Sequence, residues 1–447
     1  MTETISPKSS RIREAVAAIA DGRSSAREQI GLARAALETH ARLNPIAHVD
    51  WSRAEAIAAE LDARRDRGEP LGRLHGIPIS IKDLYVVEGM PTRAGTRAAL
   101  PALGAAEAVA VARLRAAGAI PFAKTNMHEI ALGATGENLW TGDVCNPFDP
   151  TRQAGGSSSG AAVCVAVGAG YAGLGSDTGG SVRIPAAFCG VTGFKPSFGA
   201  IPLEGALYLS WTCDHAGPIA RCVDDCALLY EVMSGRRASH GQVVNEPTIG
   251  VPVDWLDGRL EPTVREAFEG ILARLERAGA QVREIALPVL KEASNNYTTL
   301  VRAEAAWVHR DALAAGDEGF SALVRPPLEA GLAVGAAQYI DALKFRDRLR
   351  RELGQALAKV DALMTPTTAI LPPPRGRLDT RVEGGEISVR EAVLGQTLPF
   401  SYAGLPTLSL PAAMIDGLPL GMQVVGAADA DARLLALGRW LEGHFAK

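Results

Sequence analysis

No long apolar run, no dominant charge and no paired-cysteine spacing occur in this 447-residue chain. A membrane-crossing helix needs roughly 18 consecutive apolar residues, so none is expected. Acidic and basic residues nearly cancel, to a formal net charge of -4, which leaves no electrostatic footprint for nucleic acid or an anionic membrane. The six cysteines (Cys145, Cys164, Cys189, Cys213, Cys222 and Cys226) make no C-x-x-C pair, and no histidine at ligand spacing accompanies Cys222 and Cys226. That usage fits reduced, buried thiols in a cytoplasmic protein and implies no metal centre. The Met1–Arg13 segment has no apolar core, so no secretory leader is expected. Aromatic residues are few, at 5%, yet a 47% hydrophobic content suffices for a large core.

What is present is alternation. The first 70 residues read as helices: Ile12, Val16 and Ile19 keep helical spacing, Ser25 with Glu28 makes a capping box, and a charged helix runs from about Ser52 to Arg67. The period then changes. Ile77 to Ile81 reads as a strand delivering Lys82 at its end. Helix over Ala105–Ala117, strand over Ala119–Ala123, helix over 158–170 and strand over Tyr171–Gly175 follow. Pro262–Gly279 is strongly amphipathic, and strands are expected at Val282–Ile285, Ala362–Met364, Thr407–Leu410 and Gly421–Val425. Such alternation predicts one large α/β/α domain, its mixed, twisted sheet covered by helices on both faces. The expected segments are 1–70 (helical), 71–235 (core) and 236–447 (the rest of the same domain). The Pro-rich stretch Leu371–Gly376 reads as a surface loop.

Two glycine-serine runs dominate the middle of the chain: Gly155-Gly156-Ser157-Ser158-Ser159-Gly160, and Asp177-Thr178-Gly179-Gly180-Ser181-Val182-Arg183-Ile184-Pro185. Three familiar motifs match here by accident. Gly156–Gly160 spells G-x-S-x-G, but turn residues rather than a strand precede it. Gly168–Gly173 spells G-x-G-x-x-G, but between a helix and a strand, the wrong order for a dinucleotide site. Gly155–Gly160 lacks the lysine of a phosphate loop, because Ala161 and Ala162 stand in its place. What remains is a serine in need of a base. None of the eight histidines, His240 included, sits in a setting that marks it as one. A lysine can serve if burial disfavours its charged form, as the position of Lys82 allows; the competing reading pairs Lys82 with Asp83 at the surface.

Lys82, the Gly155–Gly160 run and Ser181 within Asp-Thr-Gly-Gly-Ser-x-Arg-x-Pro resemble the amidase signature family. The likeness extends through Lys124-Thr125-Asn126-Met127, Glu137-Asn138, Asn146-Pro147, Gly193–Pro196, Asp214–Pro218, Ala403–Pro406 and Gly417–Gln423. It implies Ser181 as nucleophile, Ser157 in a cis peptide as proton relay, and Lys82 as ultimate base. Ser158 would help hold the lysine, or else it and Ser159 cap a helix. The backbone amides of Thr178, Gly179, Gly180 and Ser181 would form the oxyanion hole, with Asp177 and Arg183 orienting the loop. No metal or cofactor is implied.

The family's members cleave varied amides and urethanes. Its tRNA-linked subunits usually carry an aspartate three residues before a C-terminal threonine, to grip the amino group of glutamine. Here Leu394 precedes Thr397 at that distance, while Arg346 matches a companion arginine. The residues expected to flank the site are Met127, Leu132, Gly133, Trp140, Tyr208, Trp211 and Phe400, with Leu207, Leu209 and Leu398 nearby. The expectation is therefore an amidase acting on small hydrophobic or aryl amides, anilides or carbamates, working as a monomer or homo-oligomer. The alternative is a glutaminase subunit of a tRNA amidotransferase, active only in a complex.

Overall fold

The computed structural model describes residues 11–238, 244–316 and 318–445, so the first ten residues and His240 lie outside it. Among the described residues the strands are β1 (Ile46–Val49), β2 (Pro78–Lys82), β3 (Ile120–Thr125), β4 (Ala172–Asp177), β5 (Thr192–Lys195), β6 (His215–Ala220), β7 (Thr248–Val251), β8 (Gln281–Glu284), β9 (Ala362–Pro366), β10 (Asp379–Val382), β11 (Gly385–Ser388), β12 (Thr407–Ile415) and β13 (Leu418–Val425). Eleven build one mixed sheet in the order β1-β3-β2-β4-β6-β5-β12-β13-β9-β7-β8, and β10 and β11 form a separate antiparallel hairpin. Strands from every part of the chain between residues 46 and 425 thus share one sheet.

The central strands read as apolar or small-residue runs because both faces are covered; every residue of β2, β3, β4 and β6 is buried. One face carries the helices Ala26–Thr39, Trp51–Asp66, Ser159–Val167 and Arg183–Phe188; the other carries Val109–Ala116, Val223–Ser234, Pro262–Arg277 and Asp431–Phe445. Pro262–Arg277 buries Val264, Phe268, Ile271 and Leu275, the stripe its amphipathic spacing predicts. All six cysteines are buried, and none is joined in a disulfide. No helix of the described residues is long and apolar enough to cross a membrane.

Several local expectations need correction. The N-terminal segment is not wholly helical, since β1 adds an antiparallel edge to β3; four residues give too short a pattern to read. The capping box forms by half: Ser25 Oγ accepts from the Glu28 amide at 3.1 Å, but the Glu28 carboxylate accepts from Ser24 Oγ. The helix expected from Ala105 starts only at Val109, because the amides of Ala108 and Val109 donate to Val86 and Glu204 in neighbouring loops. The Pro-rich loop is not simply superficial. Pro372 and Pro373 are buried, and their carbonyls accept from Arg152 Nη1 (2.7 Å) and the Gln153 amide (2.9 Å), just ahead of the first glycine-serine run.

The topology also aims the chemistry. β2 and β4 are parallel neighbours, with Ile79 opposite Ala172 and Ile81 opposite Leu174. Their carboxyl ends, Lys82 on one and Ser176-Asp177 on the other, therefore emerge side by side, where open α/β sheets place their ligands.

Candidate active site

Lys82 is fully buried, and its Nζ donates to Ser157 Oγ at 2.7 Å and to Ser176 Oγ at 2.8 Å. The peptide bond between Gly156 and Ser157 is cis. Burial drives the Lys82 amine down to about 7, against the opposing pull of Asp177 and Asp214. The surface pairing with Asp83 does not occur: Asp83 meets Lys124 at 3.0 Å, and both are buried. Because that carboxylate is engaged elsewhere, Lys82 keeps only hydroxyl partners, which accept without demanding a positive charge.

The two glycine-serine runs are laced together. The Ser158 amide donates to the Ser181 carbonyl at 3.2 Å, and the His128 amide to the Ser157 carbonyl at 3.3 Å. The hydroxyl beside Lys82 is Ser176 and not Ser158. Ser158 stands one step behind, its Oγ donating to the Ser176 carbonyl (3.1 Å) and accepting from the Ser176 amide (3.2 Å). Gly175 permits this approach, since a Cβ there would lie 2.8 Å from Ser158 Oγ. Helix capping is not the role of either following serine: Ser158 makes no side-chain cap bond, and Ser159 Oγ has no hydrogen-bond partner among the described residues.

Ser181 lies at the next turn. The amides of Thr178, Gly179, Gly180 and Ser181 donate to no acceptor among the described residues. Gly180 has a φ of 149°, and a Cβ there would fall 2.2 Å from Thr397 Oγ1, so the turn accepts only glycine at that position. Thr397 Oγ1 in turn donates to the Gly179 carbonyl at 2.6 Å. Thr178 Oγ1 donates to Asp214 at 2.6 Å, and Asp214 also accepts from the amides of Leu209 and Ser210. Burial pushes the Asp214 carboxyl up to about 7.

Asp177 and Arg183 form a wholly buried, two-pronged pair beneath the turn, at 3.0 and 2.9 Å. Burial opposes ionisation of Asp177, but Arg183 outweighs it and holds the carboxyl well below its usual range. Arg183 also reaches the Thr397 carbonyl, Gln423 and Ser401, tying the turn to β13. Removing one partner strands a charge, so Arg183→Met is expected to cost about 3–5 kcal/mol in urea unfolding. A loss under about 1 kcal/mol would show that the pair does not hold the turn.

Thr178, Gly179 and Ser181 border a cavity of about 390 Å³. Of the residues expected to flank the site, Leu132 and Gly133 line it, together with Leu209 and Leu394. Met127, Trp140, Tyr208, Trp211 and Phe400 do not. Met127 is buried behind the wall, its carbonyl accepting from Asn138. Trp140 donates to Glu129 under the guanidinium of Arg97. Trp211 is exposed, Tyr208 half-buried, and Phe400 packs edge-on to Trp255 in the core. Arg346 is also off the cavity and donates to the Thr212 carbonyl at 3.3 Å. His128 does border it, but burial, and then the charge of Lys82, takes the imidazole down to about 4, leaving a weak base. Sequence reasoning missed Ser176 and the Ala293–Val308 helix, which supplies Tyr297, Thr298, Val301 and Arg302 to the cavity, and it quoted Asp214 within the family likeness without giving it a role. Ser176 left a trace as a serine directly before the second run, and the helix left none. Among the described residues no group of three metal-binding side chains converges.

This arrangement has known counterparts. The family model for amidases matches residues 32–435. The chain is 34% identical to a glutamyl-tRNA(Gln) amidotransferase subunit of Koribacter versatilis, over 90% of this chain and 91% of that one. It is 36% identical to the corresponding protein of Symbiobacterium thermophilum, over 85% of each. A crystal structure of an amidase shares 50% identity and superimposes with a TM-score of 0.95, over 97% of this chain and 99% of that chain. Sequence, fold and site thus agree, and the chain belongs to the amidase signature family of amide hydrolases.

Proposed function

We propose that this chain hydrolyses small amides through Lys82, Ser157 and Ser181. The observation that carries this reading is the 2.7 Å hydrogen bond from a fully buried Lys82 Nζ to Ser157 Oγ. In its neutral form that amine takes a proton from Ser157 Oγ, which takes one from Ser181 Oγ as this attacks the substrate carbonyl. The developing oxyanion is met by the unspent amides of Thr178 to Ser181. As the tetrahedral species collapses, Ser181 Oγ stays bonded to the acyl carbon while the C–N bond breaks; the proton held by Lys82 passes through the Ser157 hydroxyl to the departing amine, and water then cleaves the acyl-enzyme with Lys82 again as base. Ser176 keeps the lysine aimed, and Asp214 and Thr397 keep the turn in shape.

Leu394 favours an amide other than glutamine. It lines the cavity, and an apolar side chain offers no partner to an ammonium group. Leu132, Leu209 and Leu394 suit an alkyl or aryl portion, and a carbamate presents the same electrophilic carbonyl. A second reading, a glutaminase subunit of a tRNA amidotransferase, is favoured by the 34–36% identity to such subunits. The purified single chain separates the two. Turnover of 4-nitroacetanilide or a nitrophenyl carbamate above that of glutamine is the expected outcome; glutamine turnover alone, or activity only with added partner subunits, reverses it.

A further inference from the structure

We propose that the substrate carries a carboxylate at the end remote from the scissile amide, and that Arg302 and Arg390 receive it. This inference rests on the assignment of Ser181 and its cavity as the active site.

Two helices wall the cavity away from the sheet. Along Ala293–Val308, residues 297, 298, 301 and 302 form one stripe facing it. Along Val389–Leu394, residues 389, 390 and 394 do the same. Each stripe contributes apolar side chains, Val301 from one and Leu394 from the other, and then one arginine.

Neither guanidinium donates to any acceptor among the described residues. The other arginine of the wall, Arg377, already donates to the Asp379 carbonyl at 2.9 Å. The wall's carboxylate, Glu137, is engaged as well, accepting from Thr135 Oγ1 at 2.8 Å and the Gly376 amide at 3.1 Å. Withdrawal from solvent, helped by the like charge of Arg302 and opposed by Tyr297 and Glu391, lowers the Arg390 pKa from its ordinary value. Arg302, Arg377 and Arg390 line the cleft against one carboxylate, Glu137, so positive charge is in excess there and the guanidinium groups repel each other. A carboxylate relieves that repulsion, and the planar fork of a guanidinium matches its two oxygens. The ligand this wall fits therefore has an amide at one end, an apolar middle and an anionic end. Leu394, on the same helix as Arg390, offers no partner to an ammonium, which separates this class from glutamine.

Monoamides of linear dicarboxylic acids, from glutaramate to suberamate, test the idea against neutral n-alkyl amides of matched length. With the wild-type chain, the best acid amide is expected to exceed its neutral match at least tenfold in kcat/KM, and Arg302→Gln or Arg390→Gln to lower that ratio about tenfold, mainly through KM, which corresponds to about 1.4 kcal/mol. The ratio is internal to each variant, so a general loss of fold does not mimic the effect. Calorimetry on Ser181→Ala gives an answer independent of turnover: the acid amides bind more tightly, and either arginine substitution weakens them. Equal handling of acid and neutral amides, or a ratio indifferent to both substitutions, overturns the carboxylate site and leaves the amidase reading intact. Tight, arginine-dependent binding without hydrolysis by the wild-type chain does the reverse.

Discussion

Ser181→Ala is expected to reduce amide hydrolysis by roughly 10⁵- to 10⁶-fold, the scale seen when an enzyme loses a nucleophile that acts as one unit with its base. The reason is positional. Ser181 borders the cavity, its backbone is held by the Ser158 amide, and its neighbours offer the amides that a tetrahedral oxyanion needs. The substitution removes one hydroxyl that makes no hydrogen bond to a described residue, so stability should change by no more than about 1 kcal/mol. Steady-state rates and urea unfolding check the two halves together. A serine-directed fluorophosphonate gives a third readout: a covalent mass increase at residue 181 in the wild-type chain and none in the variant. Retained turnover, or labelling at another serine, rejects the proposed nucleophile.

Lys82→Met carries the second large effect, and it shows in both rate and stability. The active form of the lysine is neutral, so wild-type kcat/KM should climb with pH and level off above about 7, where burial has placed the amine. The variant is expected to lose roughly 10⁴-fold or more and to lack that inflection. The stability effect has the opposite sign. Between about 7 and the ordinary lysine pKa of roughly 10.4, the unfolded chain binds a proton that the folded chain does not. Stability therefore rises with pH across that window. Below it, the buried amine destabilises the fold by a few kcal/mol. Lys82→Met should remove the Lys82 share of this slope and leave that of Lys195, which is also lowered to about 7, so the variant gains stability over wild type at pH 6.5 and loses the advantage by pH 10. Urea midpoints of both chains at the two ends of the window decide it; parallel curves would mean that Lys82 does not titrate there.

A depressed amine alone does not select Lys82. Lys195 is fully buried and is also lowered to about 7, by burial first, yet its Nζ donates to the Pro196 carbonyl at 3.0 Å. The hydroxyl pair Ser157 and Ser176 is what distinguishes Lys82. Sequence spacing could nominate that lysine because it ends an apolar strand, and the strand exists as read, with Lys82 its last residue.

Substrate-facing residues were far less legible. The wall opposite the sheet comes from helices distant in sequence, and Arg302 and Arg390, which donate to no acceptor among the described residues, lie in segments whose charges look like any solvated helix face. Trp140 and Phe400 looked like pocket aromatics, but Glu129 and Trp255 hold them elsewhere. Strands β5, β6 and β7 were unread as well. Their Gly, Pro and polar residues hide the usual pattern, and only burial on both faces makes such stretches strands.

By itself the amino-acid sequence determined the alternation of buried strands and amphipathic helices and the two glycine-serine turns. These are local properties, carried by side-chain periodicity and by backbone conformations open to few residue types. Only the tertiary structure decided that Asp83 pairs with Lys124 and leaves Lys82 to Ser157 and Ser176, and that Arg302 and Arg390 share one cleft. Those partnerships join residues far apart in the chain. They depend on which strands lie parallel and adjacent and on which helix faces converge, and no short stretch of sequence carries that information.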